Sequence, residues 1–181
     1  ASYEHSVRLP LSKELLGNGS TIYANVQLRP ESSENFNIGV FGNIQASEKS
    51  HIYYEVNSFM RLVDDYIQIR VSEKEGMMQY ENIPAVHIKG VEGEVNYTYS
   101  NKLHIMANIS WQDSRDQRKY LDDGKPSATY RNRTPNKPWI FYNAEASYTL
   151  RNVFFKDASL KLAYNYQWVH WFYLTWEAYG S

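Results

Sequence analysis

The sequence predicts an all-β chain: an antiparallel β-meander of about six long strands, a segment of a large transmembrane β-barrel that is incomplete at both ends. Three observations carry this. Within Ser159–Glu177 the even positions run Leu160, Leu162, Tyr164, Tyr166, Trp168, while the odd ones run Ser159, Lys161, Ala163, Asn165, Gln167. A strand sends successive side chains to opposite faces, so one face is apolar and the other wet. The even series continues through His170, Phe172 and Leu174 to Trp176, so the strand is expected to run from Leu160 to Trp176. At about 3.3 Å per residue it would extend roughly 55 Å. Aromatic residues make up 15% of the chain, with 16 Tyr and 5 Trp, suiting strands whose rings sit where apolar and wet surroundings meet. Finally, the connections between strands alternate short and long, as they do between the two ends of an outer-membrane barrel.

Residues 1–32 show no steady period and carry Pro10, Gly17, Gly19 and Pro30. They are expected to form a long connection, with one helical turn at Ser12–Leu16 capped by Ser12. Asn35–Ile44 then alternates, with Phe36, Ile38, Val40 and Ile44 on one face, and Ala46–Ser50 is a polar turn. The next strand, His51–Val71, keeps Ile52, Tyr54, Val56, Met60 and Leu62 in phase and then flips to Ile67, Ile69 and Val71. A one-residue slip exchanges faces, so a bulge near Asp64–Asp65 is expected. Ser72–Met78 is a charged loop around Gly76.

From Gln79 the chain is extended again, with Val91, Val95, Tyr97 and Tyr99 sharing a face. Gly90 and Gly93 suggest a bend or a close backbone approach, and Glu92 and Glu94 fall on the face opposite Val91 and Val95. Ser100–Asn101 is a tight hairpin turn. Lys102–Gln112 shows the cleanest alternation, Leu103, Ile105, Ala107, Ile109 and Trp111 against polar neighbours. Asp113–Lys137 is a long loop with Pro126, Pro135 and four arginines. Pro138–Leu150 resumes with Ile140, Tyr142, Ala144, Ala146, Tyr148 and Leu150 in phase, and Arg151–Asp157 turns the chain into its last strand.

Composition excludes several classes. With 19 basic and 20 acidic residues the net charge is −1, so no electrostatic footprint for nucleic acid exists. No apolar run of about 18 residues is present, which excludes a membrane helix. The mean hydropathy of −0.61 does not exclude a barrel, whose alternating strands average out. With no cysteine there is neither disulfide nor thiolate site. The N-terminus starts in mid-pattern, which reads as a piece of a longer protein.

Short motifs run through most of this chain. Arg8-Leu9-Pro10, Glu14-Leu15-Leu16-Gly17, Asn25 and Leu28-Arg29-Pro30-Glu31-Ser32-Ser33 are followed by Asn35. Tyr80-Glu81-Asn82 precedes Ile88-Lys89-Gly90-Val91-Glu92-Gly93, and Arg133-Thr134-Pro135-Asn136-Lys137-Pro138 closes the series. In order and spacing the chain resembles the barrel of TonB-dependent outer-membrane receptors; Trp139–Ala144 and Tyr173–Glu177 look most like members from gut Bacteroidetes. The resemblance implies a plugged barrel of about 22 strands in the bacterial outer membrane. Such a receptor imports a scarce ligand such as a siderophore, haem or an oligosaccharide. The whole chain, 1–181, would belong to the barrel domain, with the plug and the terminal strands outside it. Expected partners are outer-membrane lipid, the imported ligand, and TonB through the absent plug region.

No catalytic, cofactor or metal residue is assigned. His5, His51, His87, His104 and His170 lack a second ligand at fixed spacing. Asp122-Asp123-Gly124 lacks the remaining positions of a calcium loop and reads as a turn. Arg115, Arg118, Arg131 and Arg133 could meet an anionic siderophore or lipopolysaccharide headgroups, but a loop with carboxylate neighbours is the better expectation. No nucleophile elbow, P-loop or catalytic carboxylate pair exists, so no enzyme is expected. Specificity is placed in the loops Ser72–Met78 and Asp113–Lys137. The alternative is a soluble β-sandwich carbohydrate-binding module.

Six strands cannot close so wide a barrel, leaving two unpaired edges and an uncovered apolar face. Residues 1–181 on their own are therefore expected to self-associate, bind a non-ionic detergent belt and shift their tryptophan emission on doing so. Sedimentation velocity with and without detergent checks this. A compact monomer indifferent to detergent would favour the soluble module.

Overall fold

The computed structural model describes residues 1–71, 76–121 and 123–177. The strands are β1 (Ser2–Arg8), β2 (Ile22–Tyr23), β3 (Glu31–Ser47), β4 (Ser50–Val71), β5 (Met78–Tyr99), β6 (Leu103–Asp116), β7 (Ile140–Arg151) and β8 (Ser159–Val169), with one short helix, α1 (Ser12–Leu16). They form a single sheet in the order β1-β3-β4-β5-β6-β7-β8, each neighbouring pair antiparallel. β2 joins β5 in parallel, off that path. The sheet is open, with β1 and β8 at its edges, so the six long strands of the expected meander are present as β3–β8.

Cross-strand register gathers the apolar positions on one face. One row reads Val40, Val56, Gly93, Ile109, Tyr142 and Trp168; another reads Ile52, Tyr97, Ile105, Ala146 and Tyr164. This face is open: Val40 is 64% exposed and Tyr164 67%. The opposite face carries Glu55, Glu94, Asn108, Asn143 and Gln167 in one row. From Ile140 to Leu150 the apolar column takes ten steps of about 3.3 Å. At the usual tilt of about 35–45° that projects to roughly 25 Å, the height of the apolar band of an outer-membrane barrel. Three short turns, at 48–49, 100–102 and 152–158, lie at one end. The connections 9–30, 117–121 and 123–139, with the end of β4 at Val71 and the start of β5 at Met78, lie at the other.

The structure corrects several expected boundaries. Residues 2–8 are a strand, because pairing with 31–37 holds them extended without any apolar period. The same pairing starts β3 at Glu31 rather than Asn35. The helix forms at Ser12–Leu16 as expected, but its cap position is Leu11, whose N–H donates to the Glu14 Oε2 at 2.8 Å. β6 runs on to Asp116, so the following loop begins later than Asp113. The largest correction concerns β8. It ends at Val169, and the chain that was expected to stay in the ladder to Trp176 leaves it after His170 N donates to Ile140 O. The odd positions Val169, Trp171 and Tyr173 had already lost the polar face, and that loss marks the strand's end.

The expected change of phase in β4 is real, but no one-sided bulge causes it. Val63 pairs with Val86 and Tyr66 with Ile83, in an unbroken register from Ser50–Tyr99 to Val71–Met78. All four side chains nevertheless pack in one buried cluster with Trp176. Residues 63 and 66 share a face only if the alternation switches between them. Asp65, at φ 53°, sits at the switch. Opposite it is Pro84, which has no N–H to give the ladder. Both strands change face together, so the register survives.

On both sides of the switch and beyond it the sheet has an interior. Leu28, Val63, Tyr66, Ile67, Ile83, Val86, Trp139 and Trp176 are the buried large apolar side chains among the described residues, and all lie at the long-connection end. Residues 9–30 lie against one side of β4–β5: Asn82, paired with Ile67, exchanges two hydrogen bonds with the backbone of Arg29 at 2.8 and 3.0 Å. Loop residues 123–138 and the tail 170–177 lie against the other, where the Gln68 amide reaches Pro135 O at 3.3 Å and Trp176 enters the cluster.

Of the two glycines singled out in β5, the structure crowds only one. A Cβ at Gly90 would stand 2.4 Å from the Phe59 ring and 2.5 Å from the Trp111 carbonyl, whereas at Gly93 the nearest atom is 3.6 Å away. Gly90→Ala is expected to cost about 1–3 kcal/mol by overpacking. Gly93→Ala should stay within about 0.5 kcal/mol. Unfolding midpoints of the two full-length variants in detergent, set against the parent, check this; equal losses would contradict it.

Candidate functional site

The long-connection end and the polar face beneath it form the candidate site. The end is built by carboxylates that tie irregular backbone to the strands. Asp113 and Asp116 stand near the top of β6, both buried. Asp113 Oδ2 accepts from Arg115 Nε at 2.7 Å and its Oδ1 from Arg133 Nε at 3.0 Å. Burial alone would raise this carboxyl, but hydrogen bonds and charge from Arg115 and Arg133 outweigh it and hold it below the ordinary aspartate value. The Arg133 guanidinium also lies 4.3 Å above the Trp139 ring, a cation–π contact. Asp116 accepts from the Thr129 hydroxyl at 2.6 Å and the Arg118 N–H at 2.7 Å. Thr134 donates to Ser114 Oγ at 2.8 Å, and Asn136 N donates to Tyr173 O at 2.8 Å. The loop is thereby folded back along β6, with Arg115 and Arg133 bridged antiparallel.

Three of the four loop arginines therefore follow the expectation of carboxylate neighbours. Arg115 and Arg133 are held by Asp113, and Arg118 has its guanidinium 3.9 Å from Asp116. Arg131 is exposed, 5.4 Å over the Tyr130 ring. Asp122 lies outside the described residues, as do residues 72–75 of the expected loop Ser72–Met78. Asp123 makes the expected turn, pairing with Lys125 at 2.7 Å beside Gly124 at φ 80°.

A second clasp holds 9–30. Arg8 donates to Glu31 at 2.9 Å and to both Glu14 oxygens at 3.1–3.2 Å. Glu31 also accepts the Ile67 N–H at 2.8 Å, where the β3–β4 ladder has ended. Arg29 reaches Asp65 at 2.6 Å, and Asn25 donates to Tyr80 O at 2.8 Å. The motif residues Arg8, Glu14, Asn25, Glu31, Asn82, Arg133, Thr134 and Asn136 are thus cross-links of one rim. Sequence reasoning placed several of them in loops without seeing their partners, because those partners are up to 55 residues away.

On the polar face Glu92 and Glu94 point opposite Val91 and Val95, as expected. With Glu55, Asn57, Asn108 and Ser110 they line a depression of about 240 Å³. The histidines stay apart. His5 pairs with Glu34, His51 meets Asn43, His104 meets Thr98, and His170 lies in an aromatic cluster with Trp139, Trp168 and Trp171. Among the described residues no group of three His, Asp or Glu side chains is arranged to hold a metal ion.

A family model described as "TonB dependent receptor-like, beta-barrel" matches residues 1–181. Among solved structures the chain is similar to one named "Copper transporter OprC", with a TM-score of 0.56 and 17% identity. The likeness covers 90% of this chain and 22% of that one, so the chain spans about a fifth of its length. No curated protein matches the chain.

Asp113→Asn is expected to free both arginines and speed hydrogen exchange in 130–136, leaving β7–β8 unchanged. Because folding lowers the Asp113 value, its stabilisation is complete above the unfolded value near about 3.9. It is lost as pH falls through the lower folded value. Exchange in 130–136, corrected for intrinsic rates, should therefore stay flat from about pH 8 to 5 and rise only below about pH 4. An onset near pH 6 would contradict the assignment.

Proposed function

Because the chain belongs to the family of TonB-dependent receptor-like β-barrels of the outer membrane, we propose that it is part of the wall and outer rim of a nutrient receptor. Its cargo is a scarce ligand such as a siderophore, haem or an oligosaccharide. The plug, the contact with TonB and the strands that close the barrel belong to the remainder of that receptor. The observation that carries this reading is the pairing of an open apolar face about 25 Å tall with a polar face whose upper end is roofed by 117–138 and 170–177. Lipid takes the first face. Ligand passes along the second, past Glu55, Glu92 and Glu94, after meeting the rim loops. The chain does no bond-making chemistry; it supplies a passage.

Copper, in the name of the similar structure, is not carried over, because a likeness at 17% identity is one of fold. The soluble sandwich would need a second sheet over Val40, Val56, Ile109 and Tyr164, and the described strands all belong to one sheet.

The test is uptake by cells carrying the full-length receptor, offered ferric siderophores, haem and oligosaccharides in turn. One class is expected to enter, only in the presence of TonB. Replacing 117–138 by a Gly-Ser linker should reduce that uptake while leaving the receptor in the outer-membrane fraction. Full-length protein absent from that fraction, or uptake indifferent to TonB, would overturn the reading.

A further inference from the structure

The three turns at the short end differ in a way the barrel wall does not require. Two have polar tips, Glu48-Lys49 and Ser100-Asn101. The third, between β7 and β8, presents Val153, Phe154 and Phe155. Phe154 is 74% and Phe155 75% exposed, the most exposed large apolar side chains among the described residues. Their ring centroids are 6.4 Å apart. The stem beneath them is tied. Asn152 N donates to Ala158 O at 2.7 Å, Asp157 N to Asn152 Oδ1 at 3.0 Å and Ala158 N to Phe155 O at 3.2 Å. Asn152 and Asp157 both take positive φ, 58° and 67°.

We propose that this turn is a lipid anchor, with Phe154 and Phe155 inserted at the interface of the leaflet on the short-turn side. Three points commit the occupant to lipid. The apolar column of β7–β8 runs without a break through Tyr148–Leu162 to Leu150–Leu160, the row next to the turn's closing pair Arg151–Ser159, so the tip continues the face that lipid already covers. Exposed Arg151 and Lys156 flank the aromatic pair, the charge pattern that suits phosphate headgroups beside an apolar insertion. The patch is also too small for a protein: two phenylalanines and a valine fall well short of the roughly 1,000 Å² that a specific interface buries. Self-satisfied stem hydrogen bonds allow such a turn at the headgroup level, where hydrocarbon would not tolerate open backbone.

The proposal rests on the receptor-wall reading, and the experiment separates the two. The full-length receptor, with no other accessible cysteine, is placed in phosphatidylethanolamine–phosphatidylglycerol vesicles. A nitroxide is attached at Phe155→Cys, Asn101→Cys, Lys49→Cys or Ala107→Cys, and its collisions with oxygen and with a water-soluble nickel chelate are compared. The oxygen-to-chelate ratio at 155 is expected to exceed that at 49 and 101 severalfold and to approach that at 107, in mid-wall. A ratio at 155 equal to that at 101, with 107 deep, overturns the anchor and leaves the wall reading intact. A label at 155 shielded from both reagents means that protein covers the tip, and also overturns it. A water-exposed label at 107 overturns the wall reading and the anchor together.

Discussion

Opposite Pro84, Asp65 turns its backbone into the left-handed region, and β4 and β5 exchange faces together at that step. The rest of the structure depends on this matched switch. Below it the sheet separates two surroundings, with apolar side chains on one face and amides and carboxylates on the other. A single sheet so placed has no interior, and its strands are held by backbone pairing and by cross-strand side-chain contacts such as Asn108–Asn143 and Tyr142–Trp168. From the Val63–Val86 row just below the switch upward both faces meet protein, and Val63, Tyr66, Ile83 and Val86 become the centre of a small core. Had only one strand slipped, the ladder beyond would have lost register with β5, and the rim would have had no common floor.

The rim gives the charged residues of the shared motifs a structural task. Irregular backbone over an open sheet end exposes N–H and C=O groups that no ladder satisfies. Glu14 takes the Leu11 N–H, Glu31 that of Ile67, and Asp116 that of Arg118. Arg8 then compensates Glu14 and Glu31, and Arg118 stands beside Asp116. Such pairs contribute less by attraction than by preventing an unpaired buried charge, so losing one partner is felt strongly.

Much of the wall was legible from residues alone. Alternation in Leu103–Trp111 and Ile140–Leu150 placed both strands and their faces, and Phe36, Ile38 and Val40 did so for β3. The step at Asp64–Asp65 was visible as a change of phase, though not its mirror at Pro84. Ser2–Arg8 was invisible, because an edge strand held by Ser32–Asn37 needs no apolar period. Trp176 was misplaced for the opposite reason: an aromatic run looks the same whether it faces lipid or a protein core.

The sequence by itself determined the class, the wall's two faces and the segregation of its turns, because a strand's period of two writes burial directly into residue order. Only the tertiary structure decided which carboxylate holds which arginine, where β8 leaves the sheet, and that the motif residues share one rim. Those outcomes depend on partners tens of residues apart. A local pattern carries no information about which distant backbone will arrive beside it.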